Sequence, residues 1–181
     1  LVRGLHERLF YRPLLESFAG ASAPRPGRDR EATQELLAGL GFGRPATSYE
    51  VLAGLVDPST RLGKVLAHVF PVMAPALALA ADPDAALVRL ERVVAASAGD
   101  ERVADAIAND PTTARRLAHA VASSSFATDL LAGAPERVLA MQADAEPGDA
   151  QAELVSVVAR YATRELAPNG TGAELSAVAD R

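Results

Sequence analysis

Between Asp82 and Leu139 the chain restarts a helix several times, and each restart is marked by a proline: Asp82-Pro83, Asp110-Pro111 and Ala134-Pro135. An aspartate before a proline is a helix-start signal. The carboxylate accepts from the free N–H groups of the first turn, and proline fits the first helical position because its missing N–H has no partner there anyway. A chain written this way can only stack short helices joined by very short connections. The stretch also carries no recognisable chemistry.

Composition says how such helices close on one another. Hydrophobic residues make up 49% of the 181, yet only 4% are aromatic and much of the rest is alanine. A core of this kind brings helices close over small side chains instead of burying large rings, and alanine is the strongest helix former. There are no cysteines, which excludes disulfides and thiolate metal sites. The net charge of −5 speaks against a nucleic-acid surface or an anionic-membrane surface, both of which need clustered Lys and Arg. Of the 18 basic residues only Lys64 is a lysine, a bias of the kind a GC-rich genome imposes. No apolar run approaches the roughly 20 residues of a membrane span, and no signal-peptide pattern is visible. The chain starts at Leu1 inside a helical pattern and without an initiator methionine, which leads us to expect a piece of a longer polypeptide.

Residues 1–19 carry Val2, Leu5, Leu9, Phe10, Leu14 and Phe18 at helical spacing, with a kink or break expected at Pro13. Residues 20–28 form a Gly/Pro/Ser linker. A helix over 29–39 ends at Gly39-Leu40-Gly41-Phe42-Gly43, where glycine can take the left-handed C-cap conformation. The next, over 46–55, has Thr47 or Ser48 as N-cap and Glu50 as capping partner. Asp57-Pro58 opens the longest apolar segment, 58–81. Pro71 and Pro75 inside it predict two shorter helices or one kinked one. Helices then follow over 83–98, 101–109, 111–123, 124–133 and 135–143. In the 111–123 helix, Ala114, Leu117, Ala118, Val121 and Ala122 form one stripe, with Arg115, Arg116 and His119 away from its centre. Residues 144–150 are an acidic turn, 152–166 a helix, 167–172 a second linker, and 173–180 the start of another helix. No segment alternates as a half-buried strand does, and no fixed repeat period is present. The expected fold is all-α, an irregular multi-helix bundle of short proline-capped helices.

The search for chemistry returns structural roles. His6, His68 and His119 have no partner at metal-ligand spacing, and His6-Glu7 begins an HExxH that fails at Phe10. Ser123-Ser124-Ser125 lies between two helices, where serine caps, and no G-x-S-x-G surrounds it. The glycines at 39, 41 and 43 follow a helix where a phosphate loop would follow a strand. Asp82-Pro83-Asp84 is formally a D-x-D, the carboxylate pair that holds Mg²⁺ in nucleotidyl transfer. That role needs a strand aiming both acids to one face, whereas here a proline separates them and a helix follows. Capping with a favourable helix-dipole interaction accounts for both aspartates. The cluster His6-Glu7-Arg8 with Tyr11-Arg12 reads as a solvated helix face with intrahelical pairs such as Glu7–Arg3, each worth about a few tenths of a kcal/mol. No catalytic, cofactor-binding or metal-ligating residue is therefore assigned.

Two blocks carry a resemblance. One is His6-Glu7-Arg8-Leu9-Phe10-Tyr11-Arg12-Pro13-Leu14-Leu15. The other runs from Pro71 to Val93 and continues from Ala114 to Leu139, including Ser125-Phe126-Ala127-Thr128-Asp129-Leu130-Leu131 and Pro135-Glu136. With Gly39-Leu40-Gly41-Phe42 between them, they resemble, in the same order, the bifunctional glutamine synthetase adenylyltransferase/adenylyl-removing enzymes of actinobacterial type. The match covers most of residues 3–140. It departs at residues 57–64, where the family usually carries a Ser-Arg-Arg-rich segment, and at Gly99-Asp100-Glu101-Arg102, where an aromatic pair is usual.

The resemblance implies a parent with two Mg²⁺-dependent nucleotidyltransferase domains. One transfers AMP from ATP to a tyrosine of glutamine synthetase, and the other removes it by phosphorolysis. Glutamine and a PII signalling protein act as regulators, and the setting is cytoplasmic. On this reading residues 1–22 are the helical end of a preceding catalytic domain, 23–28 a linker, 29–143 a helical interdomain domain, and 144–181 helices leading to a following catalytic domain. The Gly-Ser and D-x-D motifs of both centres would lie outside this chain, so no cofactor is held by it. The competing expectation is a stand-alone α-helical interaction module with no enzymatic role.

Overall fold

The computed structural model describes residues 28–142 and 150–162. Every regular element among them is helical: α1 (Arg28–Gly39), α2 (Pro45–Leu55), α3 (Arg61–Ala78), α4 (Pro83–Ala96), α5 (Glu101–Asn109), α6 (Pro111–Ser123), α7 (Ser125–Gly133), a 3-10 helix (Pro135–Met141) and α8 (Ala150–Ala162). The all-α expectation is met, and the helix limits agree to within a few residues. The expected helix over 1–19 with its Pro13 break, the linker short of Arg28, the acidic turn short of Ala150 and the chain beyond Ala162 lie outside the described residues.

Two of the three proline-marked starts are capped as their sequence dictates: Asp82 Oδ1 accepts from the Ala85 N–H at 2.9 Å and Asp110 Oδ1 from Thr112 at 2.8 Å. The third, Ala134-Pro135, has no side chain to cap it and opens a 3-10 helix. Between them, without a proline, Ser124 Oγ accepts from Ala127 at 3.1 Å. The middle serine of 123–125 is thus a cap. Ser123 turns back to donate to the His119 carbonyl at 2.6 Å. At the end of α1, Gly41 takes φ +92°, which L side chains rarely adopt. Its N–H donates to the Ala38 carbonyl and that of Phe42 to Leu37, a Schellman turn with Leu37 and Phe42 both buried.

Three expectations are corrected. α2 has Arg44 at its N-cap position with no side-chain cap, so neither Thr47 nor Ser48 caps it; Ser48 lies inside the helix and is buried. The long apolar helix opens not at Asp57-Pro58 but at Arg61, capped by Thr60, whose Oγ1 accepts from the Gly63 N–H at 2.9 Å. Asp57 instead closes a turn by accepting from the N–H and hydroxyl of Ser59. Arg116 is buried, because its guanidinium points inward to the carbonyls of Met141 and Gln142 at 2.9 and 3.0 Å.

α3 runs unbroken for 18 residues through Pro71 and Pro75. Each proline deletes one ladder hydrogen bond, but burial of Leu66, Phe70, Met73 and Leu77 on one face holds the helix to the bundle. That face packs most extensively on α6, whose contact surface is small: Ala114, Ala118 and Ala120 are fully buried beside Leu117 and Val121. α6 also packs against α4, α5, α7, the 3-10 helix and α8, so it is the axis of the described bundle. From α8, Val155 and Ala159 enter the same core. No helix among the described residues is long and apolar enough to cross a membrane.

Candidate functional site

The Asp82-Pro83-Asp84 corner is where the sequence came nearest to chemistry, and the structure separates its two acids. Asp82 is exposed and caps its own helix. Asp84, two residues on, is 7% exposed and faces the start of α2. Its Oδ2 accepts from the Gly43 N–H at 2.8 Å and from the Arg44 N–H at 3.2 Å, while Oδ1 accepts from the Ser48 hydroxyl. The Arg44 guanidinium stands 3.9 Å away on the solvent side. A carboxylate of α4 therefore caps α2, which explains why α2 carries no cap of its own.

Burial pushes the Asp84 carboxyl up. The hydrogen bonds from Ser48, Gly43 and Arg44, with the Arg44 charge, more than offset this and hold it below its ordinary value of 3.8. The group is an anion at neutral pH, with both oxygens already engaged. That arrangement does not fit a Mg²⁺–nucleotide site, which needs two carboxylates free to turn toward one cation.

The other sequence candidates are dispersed. His68 is exposed on α3 and His119 half-buried on α6. His6 and its neighbours Glu7, Arg8, Tyr11 and Arg12 lie outside the described residues. Among the described residues no group of three or more His, Cys, Asp or Glu side chains is arranged to hold a metal ion. Gly39 to Gly43 form the Schellman turn and the donors that Asp84 binds.

Sequence reasoning missed a second set of structural contacts, in which arginines close helix C-termini across the fold. Arg89 Nη1 donates to the Val121 and Ala122 carbonyls at the end of α6, at 2.8 and 3.4 Å. Arg116 serves the end of the 3-10 helix, and Arg137 Nη1 reaches the Leu130 carbonyl of α7 at 2.9 Å. No local spacing announces these contacts, since donor and acceptor are 7 to 33 residues apart.

Fold and site together define an all-α helical bundle whose described buried charges, Asp84 and Arg116, are engaged with helix ends. Its relatives are enzymes. Over 137 residues the chain is 39% identical to the bifunctional glutamine synthetase adenylyltransferase/adenylyl-removing enzyme of Mycobacterium marinum, a match covering 75% of this chain and 14% of that protein. The enzyme of the same name from Mycobacterium bovis is 32% identical over 179 residues, 93% of this chain and 18% of the relative. That from Leifsonia xyli is 31% identical over 177 residues, with 92% and 18% covered. The chain is a homologue of a segment of this actinobacterial enzyme family, and it spans about one-sixth of the length of the curated relatives it matches. No family model matches the chain, and no solved structure matches it.

Proposed function

We propose that the chain is a non-catalytic helical segment of an enzyme that adenylylates and deadenylylates glutamine synthetase, and that it sets the spacing between two nucleotidyltransferase domains flanking it. The observation that carries this reading is the fate of the D-x-D. In a chain homologous to a segment of such enzymes, the one carboxylate pair of catalytic form has one member capping its own helix and the other buried as the cap of a neighbour. A bundle of packed helices with short connections suits a positioning role, because it can shift as a body between two arrangements.

On this reading Mg²⁺ and ATP belong to the flanking domains, the setting is cytoplasmic, and glutamine synthetase, PII and glutamine are partners of the whole enzyme. Incubating the isolated chain with ATP, Mg²⁺ and glutamine synthetase should transfer no AMP; measurable adenylylation refutes the reading. A stand-alone interaction module is the competing reading. The full open reading frame separates them, since the proposal requires a Gly-Ser/D-x-D domain on each side of this segment.

A further inference from the structure

The described helices do not share the core equally. α3 to α8 and the 3-10 helix are gathered round α6. α1 packs extensively on α2 alone, and α2 meets the rest through α4 and, to a lesser extent, α3. The first two helices are a hairpin hung on one corner of the bundle.

The hairpin has ties of its own. The Schellman turn joins its helices, Arg30 pairs with Glu50, and the Arg30 guanidinium lies over the Tyr49 ring at 5.1 Å. None of these contacts involves the bundle. Its attachment is of a different kind. Ser48, Leu52 and Leu55 are buried at helical spacing on one face of α2, and Ser48 meets Asp84 of α4. The Gly43 and Arg44 N–H groups at the start of α2 are satisfied by the same carboxylate. Undocking would take all three donors from Asp84 and leave the start of α2 and the carboxylate to water, so these bonds and the docking of the arm are lost together.

We propose that the α1–α2 hairpin is a latched arm, which leaves the body formed by α3 to α8 as one unit, and that the Asp84 carboxylate is the latch. The proposal rests on this chain alone and stands whether or not flanking catalytic domains exist. Opening exposes the Leu52 and Leu55 face of α2 and the surface beneath it. The internal ties keep the two arm helices together.

Native-state hydrogen exchange on the 181-residue chain tests this, comparing wild type with Asp84→Asn and Ser48→Ala. Asp84→Asn keeps the volume but loses the charge that binds three donors. We expect exchange at the amides of residues 36–55 to rise about tenfold, while amides in α5 and α6 change less than about twofold. Ser48→Ala removes one donor and leaves the backbone bonds, so a rise of about threefold confined to the same residues is expected. In low urea, the amides of α1 and α2 should share one opening, with a weaker urea dependence than α6. A loss of protection spread evenly over arm and body overturns the proposal, as does no change in the arm. If Asp84→Asn does not fold, Ser48→Ala carries the test with the same two outcomes.

Discussion

Each cross-chain arginine answers a need set by helix geometry. Four carbonyls at every helix C-terminus lack an N–H, and where the terminus is packed against protein they need donors from elsewhere. Arg116 supplies two such bonds from inside the bundle, and Arg89 two from a half-buried position. Replacing Arg116 by Ala removes its packed stem and leaves two carbonyls short of a donor. We expect a loss of about 2–3 kcal/mol in urea unfolding, against about 1 kcal/mol for Arg89→Ala. Asp84 is the acidic counterpart and gives the fold a pH dependence of definite sign. Its folded value lies below the ordinary 3.8, so its stabilisation is fully present above about pH 4. It is lost as pH falls through the folded value. Urea midpoints between pH 6 and pH 2.5 should show Asp84→Asn less stable than wild type at the upper end, with the gap narrowing on acidification. A gap of constant size would mean that this carboxylate does not titrate with folding.

At the scale of elements, the turn into α3 depends on a residue with no side chain. A Cβ built on Gly63 would meet the Asp57 carbonyl oxygen at 2.1 Å and Thr60 Oγ1 at 2.7 Å. The first obstacle is backbone and cannot rotate away. Gly63→Ala should therefore cost about 1–3 kcal/mol despite alanine's better helix propensity, measured as a lowered Tm or urea midpoint. This turn also marks where local reading reached its limit. Asp82, Asp110 and Ser124 were legible as caps because a cap needs only the two or three residues after it. Asp57 followed by proline looked the same, yet Thr60 stands nearer the first apolar turn and takes the role. Pro71 and Pro75 predict two short helices or one kinked helix; the structure has one helix, and the burial that holds it in one piece comes largely from α6, far along the chain. The start of α2 escapes local reading for the same reason, since the carboxylate that binds it is 41 residues away. The all-α class and most helix limits are thus properties of short windows. The site at Asp84 and the inward Arg116 are properties of the packing. That the D-x-D is a capping pair was readable from its proline, but the helix that Asp84 caps was not.

At the scale of the molecule, α6 decides whether α3 to α8 unfold as one. Its alanines let neighbours approach closely, so the space around it is filled by a few larger side chains, of which Leu117 is 1% exposed. Close-packed interiors do not relax fully round a deletion, and a cavity beside α6 touches the helices on all its sides. Leu117→Ala should cost about 2–5 kcal/mol and lower the urea midpoint with the slope of the transition unchanged, because the unit that unfolds is the same. Hydrogen exchange should accelerate together in α3, α4, α5 and α6. The matching deletion on the arm, Leu52→Ala, removes a side chain just as buried, but one on the face of α2 that bears on the bundle. Its cost should appear first as faster exchange in α1 and α2, with α6 protection nearly kept. The two leucines differ in place and not in burial, so the contrast reads the architecture directly. Equal effects on arm and body from both substitutions would make the described helices a single cooperative unit with no separable corner.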